Sequence, residues 1–303
     1  MSIRFDGKVA IVTGAGDGLG REHALAFAAR GAQVVVNDFG GGRDGSGGTS
    51  EAALAVVEEI RAAGGTAIAN GADVADFAQV EAMAAQTIDA FGRIDILVNN
   101  AGILRDKSFA KMDVADFRAV LDVHLMGSMH CTKAVWETMR AQKYGRIVMT
   151  TSAAGLYGNF GQANYGAAKM ALVGLMNVLH QEGIKNNVKV NTIAPIAATR
   201  MTAELLPEAA LQAIRPERVT PAVLFLCSED APSRVVLSAG GGSFAAATVV
   251  ETAPCHIADS DLNPEAIAGR FAEISNWSTA SAYGEAGQEV GRFIETALKF
   301  ARA

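Results

Sequence analysis

The sequence predicts an α/β domain: a doubly wound parallel sheet with helices on both faces, followed by a helical C-terminal extension. Three observations carry this. Short β-branched runs alternate with longer helical segments. Several of the runs are nearly continuous apolar stretches, as strands covered on both faces are. The first run opens directly into a glycine-rich turn and then a helix.

In chain order, strands are expected at Val9–Thr13, Gln33–Asp38, Thr66–Asn70, Ile94–Val98, Arg146–Thr150 and Lys189–Ile193. Helices are expected at Leu19–Arg30, Ser50–Ala63, Asp76–Phe91, Phe117–Gln142 and Tyr165–Gly183. Gly31 and Gly64 follow two of them, where helices tend to stop. The uncharged stretch Val235–Val250 is too short to span a membrane and is broken by Gly240-Gly241-Gly242. It reads as strand, glycine turn, strand. The run from Gly40 to Gly48 is a glycine-rich insertion after the second strand and reads as a surface loop, with contact to a ligand as the other possibility. Residues 1–253 form the expected catalytic domain. Residues 254–303 form two helices (Pro264–Ser275 and Gly284–Phe300), too short for a second domain, which pack on the first or on a partner subunit.

Composition bounds the function. Half of the 303 residues are hydrophobic and 19% are charged, which suits a large buried core. A net charge of −6 offers no electrostatic footprint for nucleic acid or an anionic membrane surface. Three scattered cysteines (Cys131, Cys227, Cys255) suggest neither a disulfide framework nor a metal site. The N-terminus lacks an apolar secretion segment, and Ala301-Arg302-Ala303 is no recognisable peroxisomal address. The expected setting is soluble and cytoplasmic, with no nucleic-acid or membrane partner.

The turn after the first strand contains Gly14, Asp17, Gly18, Leu19 and Gly20. Its glycines permit a tight turn and close approach of backbone N–H groups to a pyrophosphate, and the following helix N-terminus adds partial positive charge. Asp38 closes the second strand, 18 residues past Gly20. A carboxylate there accepts both hydroxyls of an adenosine ribose and repels a 2′-phosphate, which selects NAD over NADP; a turn-forming Asn37-Asp38 pair is the other reading. Asp17 adds a second negative charge in the same loop. Asp73 and Val74 follow the third strand, at the adenine edge; a plain helix cap explains Asp73 nearly as well. Asn99-Asn100-Ala101-Gly102 follows the fourth strand, where open sheets bind ligands, although an Asx turn has the same residues.

Tyr165 and Lys169 are four residues apart at the start of a helix and share one face. A phenol titrates near pH 10, too high for a base at neutrality. A cation within about 4–6 Å favours the phenolate, so Lys169 and a positively charged nicotinamide ring bring Tyr165 into the working range. Ser152, at the end of the fifth strand, can hold the substrate oxygen while the proton moves. Tyr-x-x-x-Lys alone recurs by chance in helices; its position behind Ser152 and the dinucleotide features gives it meaning.

Together these residues resemble the short-chain dehydrogenase/reductase family: Gly14…Gly18-x-Gly20, Asn99–Gly102, Ser152, Tyr165-x-x-x-Lys169 and Asn191…Pro195, over residues 6 to about 250. The resemblance implies a Rossmann-type sheet of about seven strands and hydride transfer at the nicotinamide C4. It also implies that Lys169 binds the nicotinamide ribose and that Pro195 and Thr199 contact the cofactor. A homodimer or homotetramer formed through Phe117–Gln142 and Tyr165–Gly183 is implied as well. One departure stands out. The family's fourth catalytic residue is usually Asn, and here the segment is Val123-His124-Leu125-Met126-Gly127. His124 can hold a water or shuttle a proton, or it can be a packed helix histidine.

Further stretches, including Val36-Asn37-Asp38 with its insertion, Gly155–Tyr165 and Arg200-Met201-Thr202, are similar to a narrower subgroup, the (3R)-hydroxyacyl-CoA dehydrogenase region of peroxisomal multifunctional enzyme type 2. That subgroup also carries His at the position of His124. It implies oxidation of a (3R)-3-hydroxyacyl-CoA to the 3-ketoacyl-CoA with NAD. The apolar residues Ile196, Met201, Leu205 and Leu206, facing Leu156, Tyr157 and Phe160, suit an acyl-CoA or a steroid-like substrate equally. A dehydrogenase of free hydroxysteroids or other lipophilic alcohols is therefore the alternative. A non-catalytic dinucleotide-binding protein is a third reading, opposed by intact Ser152, Tyr165 and Lys169.

Overall fold

The structure is a computed structural model that describes residues 2–42, 44–45, 51–198 and 207–301. Its centre is an eight-stranded sheet: β1 (Val9–Thr13), β2 (Gln33–Asn37), β3 (Thr66–Asn70), β4 (Ile96–Asn99), β5 (Gly145–Thr150), β6 (Val188–Pro195), β7 (Val236–Gly240) and β8 (Ser243–Ala247). The spatial order is β3-β2-β1-β4-β5-β6-β7-β8. Every pairing from β3 across to β7 is parallel. The eighth strand is the second arm of the glycine-turn feature. Gly241 and Gly242 both have positive φ (59° and 81°), the backbone that a tight two-residue hairpin requires.

The first unit carries nine helices among the described residues: α1 (Gly18–Ala29), α2 (Glu51–Ala62), α3 (Phe77–Phe91), α4 (Val114–Leu121), α5 (Gly127–Gln142), α6 (Ala153–Tyr157), α7 (Ala163–Gly183), α8 (Glu208–Ala213) and α9 (Thr220–Leu226). On one sheet face Val12, Val34, Val98, Val148 and Ile193 pack with Phe27 of α1, Val56 and Ile60 of α2, and Val223 and Leu226 of α9. The opposite face is covered by α3, α5 and α7, whose Met83, Val135, Met139, Leu172 and Met176 are buried. This two-sided cover explains why β1 is apolar up to its final Thr13: all five of its residues are buried.

The single helix expected over Phe117–Gln142 is broken. Between α4 and α5 the residues Asp122–Met126 form one π turn, with Gly127 N–H donating to the Asp122 carbonyl. Such bulges insert one residue into the helical ladder and re-aim side chains, often at functional sites. Here the bulge carries His124 inward to the backbone of Ile103.

The winding of the sheet reverses between β1 and β4, which pair directly (Val12 against Val98). Chains leaving these two strands diverge to opposite sides and leave a crevice at their carboxyl ends.

The chain divides into two compact units, Met1–Ala246 and Ala247–Ala303. The second holds α10 (Pro264–Gly269), α11 (Phe271–Ile274) and α12 (Ala286–Ala301). Asn263 caps α10 by accepting from Ala266 N–H at 2.8 Å. The expected helix Pro264–Ser275 is thus two short ones, parted at Arg270. His256 stacks on Phe300 at 4.4 Å between ring centroids, and α12 gathers Val290, Phe293, Ile294 and Leu298 at helical spacing. No helix among the described residues is long and apolar enough to cross a membrane.

Candidate active site

The glycine loop is built by close contacts that no larger residue permits. Gly14 and Gly18 have positive φ (60° and 54°). A Cβ on Gly14 would lie 2.8 Å from the Ala101 Cα, and one on Gly20 would run into the Gly14 carbonyl. Gly20 therefore serves helix-on-strand packing behind the loop, while Gly14, Asp17, Gly18 and Leu19 form cavity wall. Asp17 caps α1, accepting from Gly18 N–H at 2.7 Å. Gly16, which the spacing argument passed over, is as constrained as the others: its Cβ would lie 2.8 Å from Asp38 Oδ2. The signal was the unbroken alternation of glycine at positions 14, 16, 18 and 20.

Asp38 stands at the end of β2, accepting from Gly16 N–H at 2.8 Å and from Gly40 N–H at 2.7 Å. These bonds hold the carboxylate against the loop, on the wall of the same cavity. The described part of the glycine-rich insertion differs from a free surface loop, because Gly41, Gly42 and Gly45 also form cavity wall. Arg105 Nε donates to the Asp44 carbonyl at 3.0 Å, and Gly45 packs on Ile103.

At the next strand end, Asp73 accepts from Ala75 N–H at 2.9 Å and Val74 is buried against Gly127, whose Cβ would lie 2.7 Å from Val74 Cγ2. Asp73 thus makes a turn and lines the cavity together. Asn100 Nδ2 donates to the carbonyls of Thr13 and Gly14, each at 3.0 Å. Thr13 Oγ1 accepts from Asn100 N–H at 3.0 Å and Ala101 N–H at 3.1 Å. Asn100 and Thr13 therefore clamp the glycine loop to the end of β4, with Ala101 and Gly102 beside them on the wall.

The second half of the site lies beyond β5. Ser152 caps α6, its Oγ accepting from Ala154 N–H at 3.2 Å. Asn164 is buried at the start of α7; its Nδ2 donates to the Arg105 carbonyl at 3.0 Å and its Oδ1 accepts from Tyr165 N–H at 2.8 Å. Lys169, only 3% exposed, donates from Nζ to the Thr150 carbonyl at 2.5 Å and lies 5.4 Å from the Tyr165 ring centroid. Thr151 Oγ1 returns a bond to the Lys169 carbonyl at 2.7 Å, so β5 and α7 are stitched on both sides.

Burial dominates the electrostatics here. It lowers the Lys169 pKa to about 7. It also raises that of Tyr165, against the hydrogen bond from Ser152 that pulls it down. The protein's own groups thus do not make Tyr165 a stronger acid, contrary to the charge-only expectation, because desolvation of the phenolate outweighs them.

One cavity of about 620 Å³ runs from the glycine loop past Asp38, Asp73 and Ala101 to Ser152, Tyr165, Lys169, His124 and Pro195. Asn159 and Gln162 face into it, whereas Tyr157 and Phe160 do not line it and Phe160 is 91% exposed. The turn at Gly158 (φ 80°) follows α6 and directs the chain this way. Asn191 is also an anchor, donating to the Pro232 carbonyl at 2.8 Å and accepting from Val235 N–H at 3.0 Å. Thr199, Met201, Leu205 and Leu206 lie outside the described residues. No group of His, Cys, Asp and Glu suited to a metal ion occurs among the described residues.

These residues fit a dinucleotide. A Cβ-free cradle faces the α1 N-terminus, a carboxylate waits at the end of β2, and Thr150 Oγ1 and His124 Nδ1 are buried without partners among the described residues beside the catalytic corner. The fold and site therefore define a dinucleotide-binding oxidoreductase. The chain belongs to the short-chain dehydrogenase family, which matches residues 8–210.

Within that family it is 46% identical to mouse peroxisomal multifunctional enzyme type 2 over 303 residues, 98% of this chain and 40% of that protein. Full-length peroxisomal multifunctional enzyme type 2 from Drosophila melanogaster superposes with a TM-score of 0.83 at 38% identity, covering 98% of this chain and 50% of the other. A 7α-hydroxysteroid dehydrogenase complexed with NADH and 7-oxoglycochenodeoxycholic acid gives a TM-score of 0.71 at 35% identity, covering 79% and 95%. The chain spans about two fifths of the length of the mouse relative. The mouse and Drosophila relatives are named as peroxisomal enzymes, which overturns the cytoplasmic placement expected from the sequence.

Proposed function

We propose that the protein is an NAD-linked dehydrogenase oxidising (3R)-3-hydroxyacyl-CoA to 3-ketoacyl-CoA. The observation that carries the reading is Ser152, Tyr165 and Lys169 meeting in one cavity with Asp38 at its far end. Ser152 Oγ holds the substrate hydroxyl, Tyr165 Oη as phenolate accepts its proton, and Lys169 stabilises that phenolate. The nicotinamide ring supplies the hydride acceptor at C4 when bound. Lys169 also binds the nicotinamide ribose. Gly14, Gly18, Leu19 and the α1 N-terminus hold the pyrophosphate; Asp73 and Val74 meet the adenine, and Asn100, Ala101, Gly102 and Pro195 enclose the nicotinamide half.

The resemblance of Val36–Asp38, Gly155–Tyr165 and Arg200–Thr202 to the hydroxyacyl-CoA dehydrogenase subgroup favours the acyl-CoA substrate over a free alcohol. The hydroxysteroid dehydrogenase neighbour keeps free hydroxysteroids as the second reading. Absorbance at 340 nm, followed with a 3-hydroxyacyl-CoA panel, free hydroxysteroids and both coenzymes, separates them. Turnover confined to free steroids would replace the first reading with the second. We also read the chain as a homodimer or homotetramer, which light scattering in solution tests.

Two predictions arise from the cofactor half. Asp38→Ala removes the carboxylate that accepts ribose hydroxyls and repels a 2′-phosphate. It is expected to lower the NAD-over-NADP preference in kcat/KM at least tenfold, on the scale of about 1.5–3 kcal/mol for a charged hydrogen bond. An unchanged ratio removes Asp38 from cofactor selection. Arg105→Ala cuts the link from Ile103-Leu104-Arg105 to the insertion at Asp44, and NAD KM is expected to rise about 3–10-fold with kcat little changed. An unaltered KM would mean that the insertion holds its place without Arg105.

A further inference from the structure

We infer that His130 of α5 is a positioning residue for the adenine end of the coenzyme, which it serves by holding the Val74 carbonyl in the turn after β3. The inference rests on the NAD reading above and deepens it at the adenine subsite.

Residues 72–75 leave β3 and line the cavity together. Most of the turn is tied within itself or to α3. Asp73 N–H donates to Gln79 Oε1 at 3.1 Å, and Asp76 N–H donates to the Asp73 carbonyl at 3.0 Å. Asp73 Oδ1 accepts from Ala75 N–H at 2.9 Å. The Val74 carbonyl belongs to the same rigid peptide unit as that N–H, and its partner comes from another helix. His130 Nδ1 lies 3.0 Å from it, 56 residues along the chain. A carbonyl only accepts, so Nδ1 carries the proton and donates.

The peptide between Val74 and Ala75 is thus pinned at both ends, by His130 at its oxygen and by Asp73 at its nitrogen. Releasing one end lets the plane rotate and draws the Asp73 carboxylate with it. The face of α5 is shaped for this grip. Gly127 lies on the same face as His130, three residues earlier, and a Cβ there would come within 2.7 Å of Val74 Cγ2. Phe77, at the start of α3, packs on the imidazole with ring centroids 5.3 Å apart and planes at 46°. His130 is not part of the cavity wall, so it acts through Val74 and Asp73 rather than on the coenzyme.

The test measures the affinity for ADP-ribose, which carries the adenine half and no nicotinamide, beside kcat and NAD KM. His130→Phe keeps an aromatic ring against Phe77 and removes the donor. It is expected to weaken ADP-ribose binding and to raise NAD KM by the same factor, about 3–10-fold, with kcat within about twofold. His130→Asn puts an amide N–H where Nδ1 stood and is expected to bring both back to within about twofold of the wild type. Nicotinamide mononucleotide, which has no adenine, should be reduced equally well by the wild type and His130→Phe. Nitrogen-15 spectra of the wild type at about pH 8 should show one imidazole, absent from His130→Asn, with its proton on Nδ1.

Unchanged ADP-ribose affinity in His130→Phe, a loss that His130→Asn does not recover, or an equal loss with nicotinamide mononucleotide overturns the inference. So does a proton on Nε2 of that ring, a result that holds even if His130→Phe does not fold. Failure of the underlying reading looks different. If the adenine lies elsewhere, Asp73→Ala also leaves ADP-ribose affinity unchanged; if only the part of His130 is wrong, Asp73→Ala weakens it and His130→Phe does not. A wild type that turns over no hydroxyacyl-CoA with NAD would remove the substrate reading and leave the ADP-ribose comparison standing.

Discussion

Tyr165→Phe is expected to lower kcat about 10³-fold while NAD affinity changes less than threefold, measured by stopped-time assays beside a fluorescence titration of the coenzyme. The substitution removes one oxygen and keeps the ring that packs edge-on against His124, so the wall of the cavity should persist. What disappears is the group that takes the substrate proton. Because burial raises the Tyr165 pKa and lowers that of Lys169 to about 7, the resting corner favours a protonated phenol, and oxidation needs the base form. The wild-type kcat/KM for oxidation should therefore climb with pH through the neutral and alkaline range. The limb belongs to the coupled Tyr165–Lys169 pair rather than to one residue. Undiminished turnover in Tyr165→Phe would take Tyr165 out of the chemistry and leave Ser152 as the nearest hydroxyl.

The parts of this site that were legible in the sequence are those whose signal is local. β1 announces itself because both faces are buried, and its glycine turn follows without a gap. Tyr165 and Lys169 share a face by helical spacing alone. Residues that act across the sheet left no such mark. Thr13 is an ordinary strand-end threonine until Asn100 is folded against it, 87 residues away, and Asn164 is unremarkable until it meets the Arg105 carbonyl. The π turn is hidden for the same reason: the helical pattern runs through Phe117–Gln142, and the break is tied to the contact with Ile103, 21 residues upstream. The sign of the Tyr165 shift was missed because charges can be counted along a chain, whereas burial is a property of the whole packing.

Lys169→Met should show the cost of that burial directly, losing catalysis while making the protein more stable. The ammonium has been carried into the core, where its bond to the Thr150 carbonyl does not replace its hydration, and its pKa falls from 10.5 to about 7. The unfolded chain then binds more protons than the folded one between these two values, so stability conferred by the wild-type residue rises with pH across that window. Below about pH 7 the folded state bears the full penalty of the buried charge; above about 10.5 it bears none. Methionine fills similar volume without the charge. The variant is expected to unfold at a higher temperature than the wild type at pH 6–7, each recovered kcal/mol being worth about 2–4 °C in a domain of this size, with the gap narrowing toward pH 10. A gap that widens with pH, or a less stable variant at pH 6, would show that the ammonium is a net stabiliser of the fold. The expected pattern instead marks Lys169 as a residue held in place at the expense of stability, as active-site groups commonly are.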